Sequence, residues 1–475
     1  MSTAPSVSVF SATPNVAEVS DLELHLPTLK VISYRGPGDT SGVPTSLEPV
    51  VRRLQTKVHW FAIDGQPSSG ELNSPNFMFY TPQPARPLLE DYKAFCSEYL
   101  WPLFHGHAER ANFDIQKWKS FRQLSEMVAS EALNVSAESF PTLCWLHDYQ
   151  MALVAPLMAM HAGIILCHFW HVSWPESSVI ATSPVGVELV ESLLSNRAIG
   201  FHTAEYATNF LETVRDLVPN AQVDMLRMEV RRGKFITKVS AMPLGIDVQM
   251  WENLARRSKG RADALASRHR QTEKLILGVD RLDYTKGILE KLKGIERFLE
   301  QNPRSRKHFN YVQITYPQSD DFAREAGYAE QVRKLISRIN AKYGSEDWQP
   351  ICLLEGLLER EELAAWFQAA DILAVNPIKD GLNLIAKEFV ACRLDESGVI
   401  LLSRQSGCAS ELGTGALIVD AANTGEFAKA MGTALSMESD ERRKRMTAMR
   451  RMVGWNQLQD WAVGFLKTAL SVKTR

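Results

Sequence analysis

Residues 375–392, VNPIKDGLNLIAKEFVAC, constrain the fold more than any other stretch. A short apolar run ends in an Asp-Gly turn and passes into a helical pattern that carries Lys387 and Glu388. A strand end that feeds a helix start gathers free backbone N–H groups and partial positive charge at one point. In an open α/β sheet an anionic ligand sits at that point. Asp380 and Glu388, beside it, suit sugar hydroxyls better than a bare phosphate, so phosphate charge has to be met by cations from elsewhere. The plainer reading is a common turn followed by a solvated Lys-Glu pair.

A second segment repeats the logic. Residues 275–286, LILGVDRLDYTK, are apolar until they break into alternating charges, and Gly287 follows. Strand interiors are apolar, so Arg281, Asp283 and Lys286 emerge at a strand's carboxyl end, on the ligand side of a doubly wound sheet. An Arg and a Lys projecting together form a diphosphate clamp, one a fork and the other a point charge. The alternative is a strand cap laced with ion pairs.

The same alternation runs through most of the chain. Strands are expected at 29–34, 58–63, 143–146, 164–170 and 198–201, and again at 275–279, 311–315, 351–354, 372–375 and 399–403. Helical patterns lie between them, for example after Ser46 and over 91–101. His147 and Asp148 close one strand and His171 another. The MPLGID stretch at 242–247 ends the first half, and a polar helix opens the second. The expected organisation is a disordered leader over 1–28, Rossmann-like domains over 29–247 and 248–455, and a helix over 456–475 returning to the first domain. Trp455 and Trp461 should mark a packed face there. With 475 residues the chain exceeds a single core, and the fold class is α/β with two domains facing each other across a ligand cleft.

Composition narrows the function classes. A net charge of −2 gives no bulk attraction to nucleic acid or anionic membranes. The longest apolar stretch, 151–169, is broken by Pro156, His161 and His168, so no membrane span is expected. The N-terminus lacks the basic and apolar regions of a secretory signal. The six Cys show no CxxC or metal-ligand spacing, which points to reduced thiols in a cytoplasmic protein.

The motifs WLHDYQ (145–150), GFHTAEYATNFL (200–211), MPLGID (242–247), VDRLDYTKG (279–287), KDGLNLIAKEF (379–389) and SGCASEL (from 406) together resemble the trehalose-6-phosphate synthase family. These are retaining nucleotide-sugar glucosyltransferases of GT-B fold, and the resemblance covers nearly all of the chain from residue 29. It implies that Arg281 and Lys286 grip the donor diphosphate. Asp380 would hold the donor glucose, helped by backbone N–H groups of Gly381, Leu382, Asn383 and Leu384, and Glu388 would bind the ribose. Asp148 and His171 would line the junction of donor and acceptor, with Arg35, Tyr92 and Trp101 in the acceptor site and Gly42 in a mobile loop over the donor. Arg35, Tyr92 and Trp101 are thus acceptor contacts by resemblance alone. His171 could also be read as a satisfied core histidine, and Asp148 as a general base. The implied reaction uses UDP-glucose and glucose 6-phosphate as small-molecule substrates, with no cofactor or metal and a separate phosphatase downstream. A homo-oligomer is compatible.

The pattern breaks in three places. Where trehalose-forming members usually carry Arg in a Pro-Ser-Arg run, this chain has Ser319, with Arg324 one helical turn on. A lost charge-assisted contact to phosphate is worth about 1.5–3 kcal/mol. Cys408 and the charged tail resemble glucosylglycerol-phosphate synthases, which use glycerol 3-phosphate. The HVSWP segment places Ser173 and Trp174 where HIPFP is usual, at what is expected to be the border of the acceptor pocket. The alternatives are therefore a change of acceptor, a non-catalytic regulatory paralogue, or a pseudo-glycosyltransferase.

Overall fold

The computed structural model describes residues 28–39, 42–64, 76–136, 140–269, 272–316 and 326–472. The expected leader, Thr28 apart, and the segment that carries Ser319 and Arg324 lie outside the described residues.

Two sheets form. The first contains β1 (Leu29–Arg35), β2 (Val58–Asp64), β3 (Phe77–Tyr80), β4 (Thr142–His147), β5 (Ile164–Phe169), β6 (Ala198–Phe201), β7 (Gln222–Asp224), β8 (Glu229–Arg232) and β9 (Phe235–Ala241). Its order is β3-β2-β1-β4-β5-β6-β9-β8-β7. It is parallel from β3 to β9, and β9, β8 and β7 pair antiparallel. The second contains β10 (Lys274–Arg281), β11 (Phe309–Tyr316), β12 (Ile351–Glu355), β13 (Ile372–Val375), β14 (Val399–Ser403) and β15 (Leu417–Val419) in the order β12-β11-β10-β13-β14-β15. Both orders reverse direction beside the first strand of their half, and a doubly wound sheet opens its ligand crevice at such a switch point.

The continuous apolar runs are explained by burial on both faces. In β1 the Val31 side chain joins one core and Ile32 another, and Trp60 and Phe61 divide in the same way. The core that holds Val31 and Trp60 continues through Trp461 and Phe465 into Leu275, Val375 and Phe389 of the second half. The helix Leu458–Ser471 thus packs against the first sheet, Trp461 lying 5.4 Å from Trp145 and Phe465 5.1 Å from Phe169. Aromatic pairs of this kind add about 0.5–1.5 kcal/mol each beyond their buried area. Trp455, expected on the packed face, is instead 72% exposed.

The two segments that cross between the halves are tied together. Ile246 bridges Gln457, and a Cβ on Gly245 would stand 2.3 Å from the Asn456 carbonyl oxygen, so only glycine fits. Lys387 donates to the Leu244 carbonyl at 2.8 Å and pairs with Glu411 at 2.5 Å. The Asn456 amide donates to both the Pro243 carbonyl and Glu411.

Some elements differ from expectation. The helix expected after Ser46 begins at Gly42 and runs to Arg53 with Pro49 inside it. β3, β15 and the antiparallel β7–β9 extension carry no expectation in the sequence reading, being short or charge-rich. The helical run over 91–101 extends across Arg86–Phe104 and widens to a π turn at Cys96–Leu100, immediately before Trp101. Such turns often re-aim a side chain at a functional site.

Candidate active site

The carboxyl ends of both sheets face each other. On the first, β4 ends in His147 and the chain turns at Asp148, whose φ is 66°. A side chain held there is strained unless the surroundings fix it. They do: the Asp148 N–H donates to the Phe169 carbonyl at 2.8 Å, and its carbonyl accepts from His168 Nε2 at 2.9 Å. The carboxylate Oδ1 accepts the His171 backbone N–H at 3.1 Å, so the ends of β4 and β5 are joined through it. Burial pushes the Asp148 carboxyl up to about 6, against the backbone N–H groups of His171, Tyr149 and Val172 that favour its ionised form. His171 Nε2 lies 3.0 Å from His147 Nδ1. Burial holds both imidazoles below their ordinary value, so the pair is neutral at pH 7.

On the second sheet, β10 ends in Arg281. Asp283 then caps the short turn Tyr284–Lys286, accepting from the Thr285 N–H and hydroxyl at 2.9 Å each. Arg281 donates to Asp283 at 2.6 Å, and Lys286 pairs with Asp380 at 2.7 Å. The clamp cations are therefore ion-paired, as the strand-cap reading anticipates, and are held in place by those pairs. Burial would raise the Asp380 carboxyl, but the charge and hydrogen bond of Lys286, with His105 and Asn383, together outweigh it and the group stays ionised below its usual range. Asn383, with φ of 79°, caps the helix Leu384–Cys392 by accepting the Ala386 N–H, and its amide donates to Asp380 at 3.2 Å. The helix N-terminus thus opens beside a lysine and a carboxylate. Glu388, half-buried one turn along, is pushed by burial up to about 7, with the charge of Arg360 opposing.

The two halves touch at this point. A Cβ on Gly381 would fall 1.9 Å from the His171 carbonyl oxygen, so the Asp-Gly turn lies directly against the end of β5. The Tyr206 hydroxyl, from the helix Ala204–Leu217, donates to the Asp380 carbonyl at 2.9 Å. Lys379 pairs with Glu205 at 2.8 Å. On the other flank the Arg281 guanidinium stands 4.8 Å from the Trp101 ring centroid, and Arg110 stands 4.2 Å from that of Tyr284. His171, held by Asp148, and Trp101 from the first half therefore meet Gly381 and Arg281 from the second, beside the Lys286–Asp380 pair.

The remaining residues are placed differently. Arg35 ends β1 and pairs with Asp39 at 3.1 Å. Tyr92 is fully buried, and its hydroxyl donates to the Gln150 carbonyl at 2.7 Å. It braces the turn that follows Asp148 through that bond. Gly42 is the first residue of a helix, with φ of 60°, rather than part of a loop.

Two of the sequence departures point inward. The Ser173 hydroxyl donates to the Phe104 carbonyl, and Trp174 is wholly buried with its indole N–H on Thr213 at 3.1 Å. Cys408 is also fully buried, behind the Asp-Gly turn. All three side chains are buried. Reading the sequence also left His105 and Tyr206 without roles. His105 donates to the Trp101 carbonyl at 2.8 Å and stacks on that ring, while Tyr206 lies one turn into a helix that follows a strand end. The strand-end rule that located Arg281 would have located Tyr206 as well. Among the described residues no group of three or more His, Cys, Asp or Glu is placed to hold a metal ion, and no helix is long and apolar enough to cross a membrane.

Comparisons with known proteins agree with this geometry. The model of Glycosyltransferase family 20 matches residues 62–470. A trehalose-6-phosphate synthase of Mycobacterium sp. (strain JLS) is 30% identical over 466 residues, covering 96% of this chain and 95% of that protein. A bifunctional trehalose-6-phosphate synthase/phosphatase of Thermoproteus tenax is 30% identical over 81% of the chain, which spans about half (52%) of that longer protein. The crystal structure of a UDP-forming α,α-trehalose-phosphate synthase from Burkholderia xenovorans, in complex with glucose-6-phosphate, superposes with a TM-score of 0.86. It is 27% identical, over 93% of this chain and all of that one.

Proposed function

The chain belongs to glycosyltransferase family 20, with the GT-B arrangement of two Rossmann-like sheets across a cleft, and from that premise we propose its reaction. It is a retaining glucosyltransferase that moves glucose from UDP-glucose to glucose 6-phosphate, giving α,α-trehalose 6-phosphate and UDP. The observation that carries this reading is the meeting of Lys286, Asp380 and Gly381 with His171 and Asp148 at one point of the cleft.

As the bond from glucose C1 to the diphosphate breaks, positive charge grows on the sugar and negative charge on the departing phosphate. Arg281 and Lys286 gain strength as that charge develops, which is what lowers the barrier. They supply the positive charge themselves, and the reaction in this reading needs no cofactor or metal. The N–H groups of Gly381 to Leu384 and the Asp380 carboxylate hold the glucose, and Glu388 receives the ribose. The acceptor hydroxyl attacks C1 from the face the diphosphate leaves. Its proton passes to the departing phosphate oxygen, so configuration is retained without a protein nucleophile. Asp148 and His171 hold sugar hydroxyls at the junction. Trp101 and Arg35 face the acceptor and its phosphate, and Tyr92 acts through the Gln150 carbonyl it supports.

The product carries a phosphate that a separate phosphatase removes. In support, the Thermoproteus tenax relative carries both activities in its name. Among the described residues none of the six cysteines forms a disulfide and five are buried, which favours a cytoplasmic setting.

The test is nucleoside diphosphate release from UDP-glucose and ADP-glucose, each offered with glucose 6-phosphate or glycerol 3-phosphate, with and without a chelator. Release dependent on UDP-glucose and glucose 6-phosphate, and indifferent to the chelator, is expected. Release only with glycerol 3-phosphate overturns the acceptor assignment. No release in any combination from folded protein overturns catalysis altogether.

A further inference from the structure

Behind the site lies a cluster of buried imidazoles of which the reaction above uses only His171. His147 is 1% exposed and His168 0%, and His171 alone keeps a small exposure of 8%. The rings of His147 and His171 are nearly stacked, their centroids 5.3 Å apart, and Nδ1 of the first lies 3.0 Å from Nε2 of the second. Two neutral imidazoles share a hydrogen bond only if one donates and the other accepts. The direction of that bond decides which nitrogen of His171 carries its hydrogen, and hence what His171 offers through its other nitrogen, Nδ1.

The surroundings select the direction. His147 Nε2 is buried and has no hydrogen-bond partner among the described residues, with the Trp145 ring packed against the imidazole at 4.5 Å. If His171 donated, the hydrogen of His147 would sit on Nε2 and a buried N–H would have no acceptor. If His147 donates from Nδ1, only a lone pair is left bare. Orphaned buried N–H groups are the rarer of the two defects. The adjoining His168 is arranged the same way: its Nε2 must donate, because its partner is the Asp148 carbonyl oxygen, and its buried Nδ1 is left as a bare lone pair among the described residues. His105 likewise donates from Nδ1 to a carbonyl.

We propose that His147 is a positioning residue whose Nδ1–H locks His171 in the tautomer that presents an Nδ1–H donor to the sugar. His171 then holds a sugar hydroxyl through that hydroxyl's oxygen while Asp148, on the same strand-end bridge, accepts a hydroxyl hydrogen. The site so obtains one fixed donor and one fixed acceptor from two neighbouring residues. The role given to His171 rests on the proposed function; the tautomer does not, because it can be read without substrate.

The experiment is ring-nitrogen NMR of the full-length protein labelled with 15N-histidine, with the His171 signals assigned by their loss in His171→Phe. The wild type is expected to show His171 protonated at Nδ1 and bare at Nε2. In His147→Phe the lock is gone, and the His171 signals should move toward the Nε2–H form. In that variant kcat should fall about tenfold, one hydrogen bond's worth, while KM for the acceptor stays within twofold. His147→Asn, whose amide occupies the Nδ1 position, should recover most of kcat. A wild-type His171 protonated at Nε2 overturns the proposal even if His147→Phe fails to fold. An unchanged tautomer in folded His147→Phe overturns it too. Failure of the reaction itself with the expected wild-type tautomer would instead count against the proposed function.

Discussion

Replacing Arg281 with Ala should separate catalysis from folding. Among the described residues its guanidinium pairs with Asp283 at 2.6 Å, with its side chain 31% exposed, and faces the Trp101 ring at 4.8 Å. A partly exposed ion pair contributes about 0.2–1 kcal/mol, and a cation over an aromatic face about 0.5–1 kcal/mol. Asp283 is buried but keeps the Thr285 N–H and hydroxyl after the substitution, so its charge is not left bare. The folding cost is then about 1–2 kcal/mol. In a unit of about 200 residues each kcal/mol lowers Tm by about 2–4 °C, so a fall of about 2–8 °C is expected. The transition-state loss is larger. Removing one donor aimed at developing negative charge typically costs about 10²–10³ in kcat, or about 2.7–4 kcal/mol. The assay is UDP release at saturating substrate, alongside thermal unfolding of the same preparation. Arg281→Lys should lie between, keeping the charge and losing the fork. A folded Arg281→Ala protein within tenfold of wild-type turnover would refute the clamp assignment. So would a loss accounted for entirely by unfolded protein.

Gly381→Ala should do comparable damage by a different route, because its Cβ would stand 1.9 Å from the His171 carbonyl oxygen and force the halves apart. Turnover should drop at least a hundredfold, and small-angle scattering should report a more open particle; unchanged scattering with full activity would contradict the contact. Lys291→Met removes the partner of Asp280, a fully buried pair at 2.6 Å, and should cost about 3–5 kcal/mol in urea unfolding. Adding Asp280→Asn should recover part of that loss. Two acidic limbs are expected in the pH profile. Burial raises both carboxyls, so each loses its ionised, accepting form as pH falls: Asp148 through about 6, lowering kcat, and Glu388 through about 7, raising KM for UDP-glucose. Folding runs the other way, since a raised carboxyl binds its proton more tightly in the folded state; the contribution of Asp148 is greatest below its unfolded value near 4 and is lost as pH rises through about 6. Glu388→Gln should abolish the KM limb and leave the kcat limb, and a kinetic profile flat from pH 5 to 8 would sink both assignments.

The sequence made some of this legible for a simple reason. Where an apolar run breaks abruptly into charge, as at Arg281 or Asp380, the break marks a strand's carboxyl end, and the sheet topology places that end in the cleft. The continuous apolar runs of the strands reflect burial on both faces, whereas strand order and register were visible only in the structure. What stayed hidden was set by three-dimensional neighbours. Tyr92 and Trp101 lie on one helical run nine positions apart, yet the π turn over Cys96–Leu100 comes between them, leaving one behind the site and the other under Arg281. Ser173 and Trp174 depart from the family's usual pattern beside His171, and only the three-dimensional neighbours show that both side chains are buried, on Phe104 and Thr213. Trp455 carries the same residue type as Trp461 and sits on the solvent face of its helix. The extension β7–β9 alternates charge with small apolar residues, too weak a period to read as strands. His147 shows no signal at all in the sequence beyond its place next to Asp148, since its part depends on a ring nitrogen 3.0 Å away on the neighbouring strand.

The measurement that tests the account most directly is proton NMR of the product made from UDP-glucose and glucose 6-phosphate. Transfer at one face of C1, with the proton returned to the departing phosphate, predicts an equatorial anomeric proton with a small coupling on the transferred glucose, and selection of the α anomer of the acceptor adds a second and so an α,α-1,1 linkage. An axial anomeric proton on the transferred glucose would mean inversion, and would contradict the arrangement of Arg281, Lys286 and Asp380 around a departing diphosphate that also receives the acceptor's proton.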